Sequence, residues 1–264
     1  MKFGCCVGIP TIAADAISNL AASGYDYAEL PLAQVVELTD SRFDELLKIM
    51  DGSGIGCYAM NIFFPGHIRL TGNSVRVGEI DEYVSKAFER ANRLGAEVIV
   101  FGSSGARNVE QGFCMKEASS QLCDHLSRAS KIASPYGIKI AIESLNRRES
   151  NIINSLHEAA DLAAAVNSPD VGVLIDLYHM DVEQESLDVI EELKKENVNF
   201  VHVHIADAAT DRGFPLNKER FVSFAKQLES INYDKNISIE GNSKDFNKEI
   251  KLAKNVMDSL FRKP

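Results

Sequence analysis

The sequence predicts an α/β fold: a single (β/α)8 barrel spanning residues 1–264. Three observations carry this. First, one unit recurs along the chain: an amphipathic helical pattern, a Gly or Pro/Asn break, then a short β-rich run. Strands that alternate with helices pair in parallel. Second, eight such runs fall within 264 residues, the size and repeat number of a (β/α)8 barrel. A doubly wound open sheet is the alternative. Third, four of the runs close on a polar residue: Glu143 in IKIAIE, Asp176 in VGVLID, His204 in FVHVHI and Glu240 in NISIE. In a barrel, catalytic residues sit at such strand ends.

Each element has its own signal. The opening KFGCCVGI is the first β-rich run, and SGYDYAEL and SGIGCYAMNIFF, each entered through a glycine, are the second and third. EYVSKAFERANRL has a helical period and stops at the glycine of LGAEVIVFGS, the fourth run. SSQLCDHLSRASKIA leads in the same way to YGIKIAIES, and LHEAADLAAAV leads to NSPDVGVLID. ENVNFVHVHI is the seventh run, and FVSFAKQL precedes the eighth, YDKNISIE. Side chains alternate across a strand, so parity decides where they point. Ile138, Ile140 and Ile142 have the parity opposite to Glu143. So do Val173 and Ile175 before Asp176, Val201 and Val203 before His204, and Ile237 and Ile239 before Glu240. The aliphatics are therefore expected to face outward to helices, and the polar residues to converge at one rim.

Composition narrows the function. Hydrophobic residues at 45% and charged residues at 25% describe an ordinary soluble domain with a well-buried core. A net charge of −10 with no basic run argues against a nucleic-acid partner. No apolar stretch reaches transmembrane length, and MKFGCCVGIP lacks the regions of a secretory signal, so no membrane partner is expected. Five cysteines (Cys5, Cys6, Cys57, Cys114 and Cys123) read as the reduced thiols of a cytoplasmic protein. Cys5 and Cys6 point to opposite faces of one strand, with a reactive pair as the alternative reading.

Three carboxylates converging on an imidazole would repel one another and resist ionisation, so a divalent cation is their natural partner. An oxygen-rich set with one imidazole suits Mn2+ first, with Mg2+, Co2+ or Zn2+ as alternatives. Glu149 lies six residues beyond Glu143, and His179 three beyond Asp176; both are placed to reach the same rim from loops. Their bland readings are a solvated loop acid and an ordinary loop histidine. His202 shares the strand face of His204 but lies deeper, as a lumen residue behind the ligand. In GSSGAR, small residues such as Ser103 and Ser104 let backbone N–H groups approach an oxygen-rich ligand, and Arg107 is a candidate to bind hydroxyls or a phosphate; the alternative is a tight turn with an exposed arginine. Phe63, Phe64 and His67 are candidates to wall or cover the pocket, against core packing for the phenylalanines. Glu29 also points at the rim, where a structural hydrogen bond in the barrel mouth is its expected job.

The segments ESLNRRESN, IDLYHM, HVHIAD and SIEGN, and loosely YDYAEL, resemble the xylose isomerase-like TIM barrels of the sugar (phosphate) isomerase/epimerase family, and among them the ketose 3-epimerases. The resemblance implies a divalent metal held by Glu143, Asp176, His204 and Glu240. It implies that Glu143 and Glu240 double as the acid/base pair, with Glu149 and His179 holding substrate hydroxyls. The family places an arginine six residues after the metal histidine and three before a proline. Here Thr210 occupies the first position and Arg212 the second, ahead of Pro215, so a two-residue insertion transfers the role to Arg212.

The expected function is thus a metal-dependent isomerase or epimerase acting on a ketose, free or phosphorylated, by proton abstraction through a metal-bound enediolate. Epimerisation ranks ahead of aldose–ketose isomerisation, because glutamates from strands five and eight can stand on opposite faces of one carbon. A dehydratase of an inositol-like ketone and a non-catalytic sugar-binding barrel are the alternatives. An abasic-site endonuclease is disfavoured by charge and by the six histidines in all. The expected partner is a small-molecule sugar, and self-association into a homo-oligomer is left open.

Overall fold

Eight short strands pair in parallel, in chain order, and the eighth returns to the first. The computed structural model describes residues 1–9 and 13–262. The strands are β1 (Lys2–Cys6), β2 (Tyr27–Pro31), β3 (Ala59–Asn61), β4 (Val98–Phe101), β5 (Lys139–Glu143), β6 (Val171–Asp176), β7 (Phe200–Ile205) and β8 (Asn236–Ile239). Helices such as Val77–Leu94, Met115–Ala133, Leu156–Val166 and Phe246–Phe261 surround them, which makes the fold a (β/α)8 TIM barrel.

Two apolar groups follow from strand parity. The larger lies between strands and helices and holds Ile140, Ile142, Val173, Ile175, Val203, Ile205, Ile237 and Ile239. The smaller fills the lumen with Tyr27, Ala59, Val98, Val100, Ala141, Leu174 and Val201. Val201 corrects the expectation from parity, which places it outward with Val203. The pairing of β6 with β7 slips between Val173 and Leu174, so Phe200 pairs with Val173 while His202 pairs with Leu174. The extra residue turns Val201 inward. Gly172 makes the room: a Cβ there would lie 2.5 Å from the Asn199 carbonyl oxygen and 2.6 Å from Val201 Cγ1.

Short helices follow three strands, the last two where the sequence reading has loop: Leu32–Glu37 after β2, Ser104–Arg107 after β4 and Leu177–Glu183 after β6. The last is started by Asp176, whose Oδ1 accepts a hydrogen bond from the His179 backbone N–H at 3.0 Å. All five cysteines are free thiols. No described helix is long and apolar enough to cross a membrane.

Candidate metal centre

Glu143, Asp176, His204 and Glu240 meet at the C-terminal mouth of the barrel. One ligand atom from each lies within 4.8 Å of all the others. Asp176 pairs with His204 across neighbouring strands, and equal parity stacks the two side chains. The His204 Nδ1 atom is the hub, 3.1 Å from Glu143 Oε1, 3.3 Å from Glu240 Oε2 and 3.7 Å from Asp176 Oδ2. Asp176 spends Oδ1 on its helix cap and leaves Oδ2 to the cluster. Glu143 fits only because residue 102 is glycine: a Cβ there would lie 1.9 Å from Glu143 Oε2. Among the described residues, three carboxylates and one imidazole nitrogen within this span match a hard or borderline divalent cation.

Behind the hub, His204 Nε2 bonds Glu29 Oε1 at 3.0 Å and His202 Nε2 bonds Glu29 Oε2 at 2.9 Å. His202 thus sits in the lumen behind the ligand, and Glu29 makes the hydrogen bond expected of it. Cys5 packs in the outer core while Cys6 reaches the rim near Glu29 and His204, on opposite faces of β1. Burial, and then the nearby Glu29 charge, pushes both thiols up, so neither is poised as a thiolate nucleophile.

The other predicted residues divide. His179 is buried; its Nδ1 accepts from the Asn146 backbone N–H at 3.1 Å, and its Nε2 lies 3.9 Å from Asp176 Oδ2. That Nε2 has no hydrogen-bond partner. Glu149 accepts from Asn146 Nδ2 at 2.8 Å and lies 3.4 Å from an Arg212 terminal nitrogen. The other terminal nitrogen of Arg212 bonds Glu240 Oε2, and its guanidinium lies over the Tyr178 ring at 4.9 Å. The chain after β7 makes this reach through the turn Ala208–Thr210 and two left-handed residues, Asp211 and Arg212, with φ of 58° and 60°. Asp207 and Gly213 close the loop by exchanging backbone hydrogen bonds.

Arg107 is a correction. Its guanidinium is wholly buried and donates to the carbonyls of Phe101 and Glu143 at 2.9 Å and of Ile153 at 3.4 Å. It ties β4, β5 and the loop after β5 together, and has no exposure to solvent. His67 is exposed and lines a depression with Arg69, Arg76 and Glu79 instead of joining the four clustered residues. Phe63 and Phe64 are core residues. Sequence reading missed Asn61, whose Nδ2 donates to Glu240 Oε1 at 2.9 Å. The signal was there: Asn61 is a polar residue closing β3, as Glu143 closes β5. It missed Asn146, in the loop after β5, and Tyr178, in the short helix after β6, which support His179, Glu149 and Arg212 from segments too short to carry a periodic signal.

The two glutamates differ electrostatically. Burial and then the Glu240 charge push the Glu143 carboxyl above its usual range. Burial also opposes ionisation of Glu240, but His204 and Arg212 override it and hold that carboxyl well below the usual range. Burial likewise disfavours a charged His204, yet Glu29 and Glu240 hold the ring protonated to well above its ordinary value. A proton and a metal ion are therefore drawn to the same Nδ1.

The family model described as "Xylose isomerase-like TIM barrel" matches residues 17–262, and the chain belongs to that family. The L-ribulose 3-epimerase of Methylomonas sp. strain DH-1 is 25% identical over 234 residues, 87% of this chain and 78% of that protein. The inosose isomerase of Bacillus licheniformis is 29% identical over 138 residues, 52% of this chain and 46% of that protein. The crystal structure of a D-allulose 3-epimerase from Methylomonas sp., in complex with D-allulose, superposes with a TM-score of 0.85 at 20% identity. That likeness covers 99% of this chain and 97% of the other, and concerns the fold.

Proposed function

We propose that this protein is a metal-dependent ketose epimerase of carbohydrate metabolism that inverts the carbon next to the substrate carbonyl by proton transfer. The observation that carries this reading is the pairing of Glu143 and Glu240. They come from β5 and from just beyond β8, flank one imidazole nitrogen, and lie in environments that drive their acidities apart. Such a split is how one site supplies both an acid and a base. A divalent cation held by Glu143, Asp176, His204 and Glu240, Mn2+ first and Mg2+, Co2+ or Zn2+ as alternatives, would supply Lewis acidity to the substrate carbonyl. Glu240, ionised and oriented by Asn61 and Arg212, takes the proton from the carbon beside the carbonyl. Glu143 returns one to the opposite face of the enediolate, and the roles exchange in the reverse direction. His179 Nε2, Glu149 and Arg212 surround the same mouth and hold substrate hydroxyls. The free thiols support a reducing, cytoplasmic setting. The likeness to inosose isomerase favours an inositol-like ketone as the second substrate class.

The test is to incubate the Mn2+-loaded protein with a panel of ketopentoses, ketohexoses and an inosose and resolve the products chromatographically. The expected result is the C3 epimer of at least one ketose, lost on chelation and restored by Mn2+ or Co2+. Asp176→Ala is expected to bind substoichiometric metal. Full occupancy in that variant removes Asp176 from the ligand set.

A further inference from the structure

We propose that Glu29 is a positioning residue: its carboxylate, shared by both histidines of β7, fixes the His204 ring so that Nδ1 faces the three ligand carboxylates. This rests on the reading of the mouth as a divalent-cation site. Glu29 is the middle residue of β2, across the lumen from β7, and has no exposure to solvent. A buried carboxylate is costly unless its lone pairs are filled. Here Oε1 takes the His204 Nε2–H at 3.0 Å, while Oε2 takes the His202 Nε2–H at 2.9 Å and the Ser238 hydroxyl. Because Ser238 gives its proton to Glu29, the Tyr27 hydroxyl, 2.7 Å away, donates to Ser238. The chain from Tyr27 to Glu29 is thereby directional, and every link in it is buried.

The consequence falls on His204. With Nε2–H committed to Glu29, the lone pair available to a cation is on Nδ1, the atom the three carboxylates surround. A carboxylate behind a ligating histidine fixes its tautomer and ring orientation and strengthens it as a donor, and losing such a partner typically costs about 10–100-fold in metal affinity. The second histidine has its own part: His202 and Ser238 hold Oε2, so Glu29 cannot rotate away from His204. Polar side chains deep in a lumen otherwise filled by Val98, Val100, Ala141 and Leu174 serve this purpose better than packing.

Glu29→Gln tests the assignment. The amide replaces one acceptor oxygen with a donor, which then faces an N–H or O–H. Calorimetric titration of Mn2+ into metal-stripped protein is expected to show affinity reduced about 10–100-fold. In 15N-histidine NMR of the Zn2+-loaded protein, the His204 Nε2–H is expected to be slowly exchanging in wild type and fast or absent in the variant. Substrate KM at saturating metal is expected to be unchanged. Ser238→Ala, which removes one support of Glu29, is expected to lower metal affinity several-fold, and it decides the matter if Glu29→Gln does not fold. Wild-type Mn2+ affinity in the folded Glu29→Gln protein, or in Ser238→Ala where that variant must decide, overturns the assignment. A wild-type protein that takes up no Mn2+ overturns the metal reading itself, and this proposal with it.

Discussion

On the proposed reading two demands meet at Glu240, metal binding and proton transfer, and its neighbours separate them. Asn61 holds Oε1 and Arg212 holds Oε2, so the carboxylate is oriented before any substrate arrives. Glu240→Gln keeps the size and one oxygen ligand but removes the base. It should lower kcat by about 100-fold or more while metal content falls less. Arg212→Ala should act mainly on KM, because a guanidinium that binds substrate oxygens does so in ground and transition states alike. Steady-state kinetics with metal content measured in parallel separates the two. Unchanged kcat and KM in Arg212→Ala would remove it from the site. Arg107 has a different role. Removing its guanidinium strands three buried carbonyls, and Arg107→Ala should destabilise the fold by about 3 kcal/mol in denaturant titrations. Wild-type stability with weakened substrate binding would restore it as a substrate ligand. Nothing in GSSGAR distinguishes an arginine that turns inward from one that faces solvent; only the meeting of three chain segments does.

At the scale of elements, all eight strands were legible, because each is a short apolar run and the seven after β1 are entered through a glycine or Pro/Asn break. The meeting of Glu143, Asp176, His204 and Glu240 was legible for the same reason: a polar residue ending an apolar run has a defined face and a defined end. The short helices that follow β2, β4 and β6 were not. They are four to seven residues long, too short to establish a helical period, and Ser104–Arg107 reads as readily as a turn. Nor was the slip between β6 and β7 legible, since local alternation in FVHVHI is unbroken and the register depends on the partner strand. Gly172 was its one trace in the sequence. Gly172→Ala should force Asn199 or Val201 to move and cost about 1–3 kcal/mol, the range of core overpacking. Differential scanning calorimetry checks this, and an unshifted Tm would mean that the slip accommodates a methyl group.

On the scale of the whole molecule, a barrel with a net charge of −10 brings four carboxylates to one mouth, where Glu143, Glu149, Asp176 and Glu240 are answered by His204 and Arg212. That excess suits a cation and a neutral, hydroxyl-rich substrate and opposes a polyanion. The fold supplies rigidity: the four clustered residues sit on adjacent strands or one residue past them, and the proposed acid and base come from β5 and the end of β8 with β6 and β7 between. The central claim is that a proton, and not a hydride, leaves the carbon beside the carbonyl. The most direct measurement is turnover of an accepted ketose by the Mn2+-loaded protein in D2O, with mass spectrometry and NMR of the product. The account predicts one deuterium at the inverted carbon, introduced during epimerisation and dependent on both Glu143 and Glu240. Product that forms at the normal rate and carries no solvent deuterium at that carbon would contradict it.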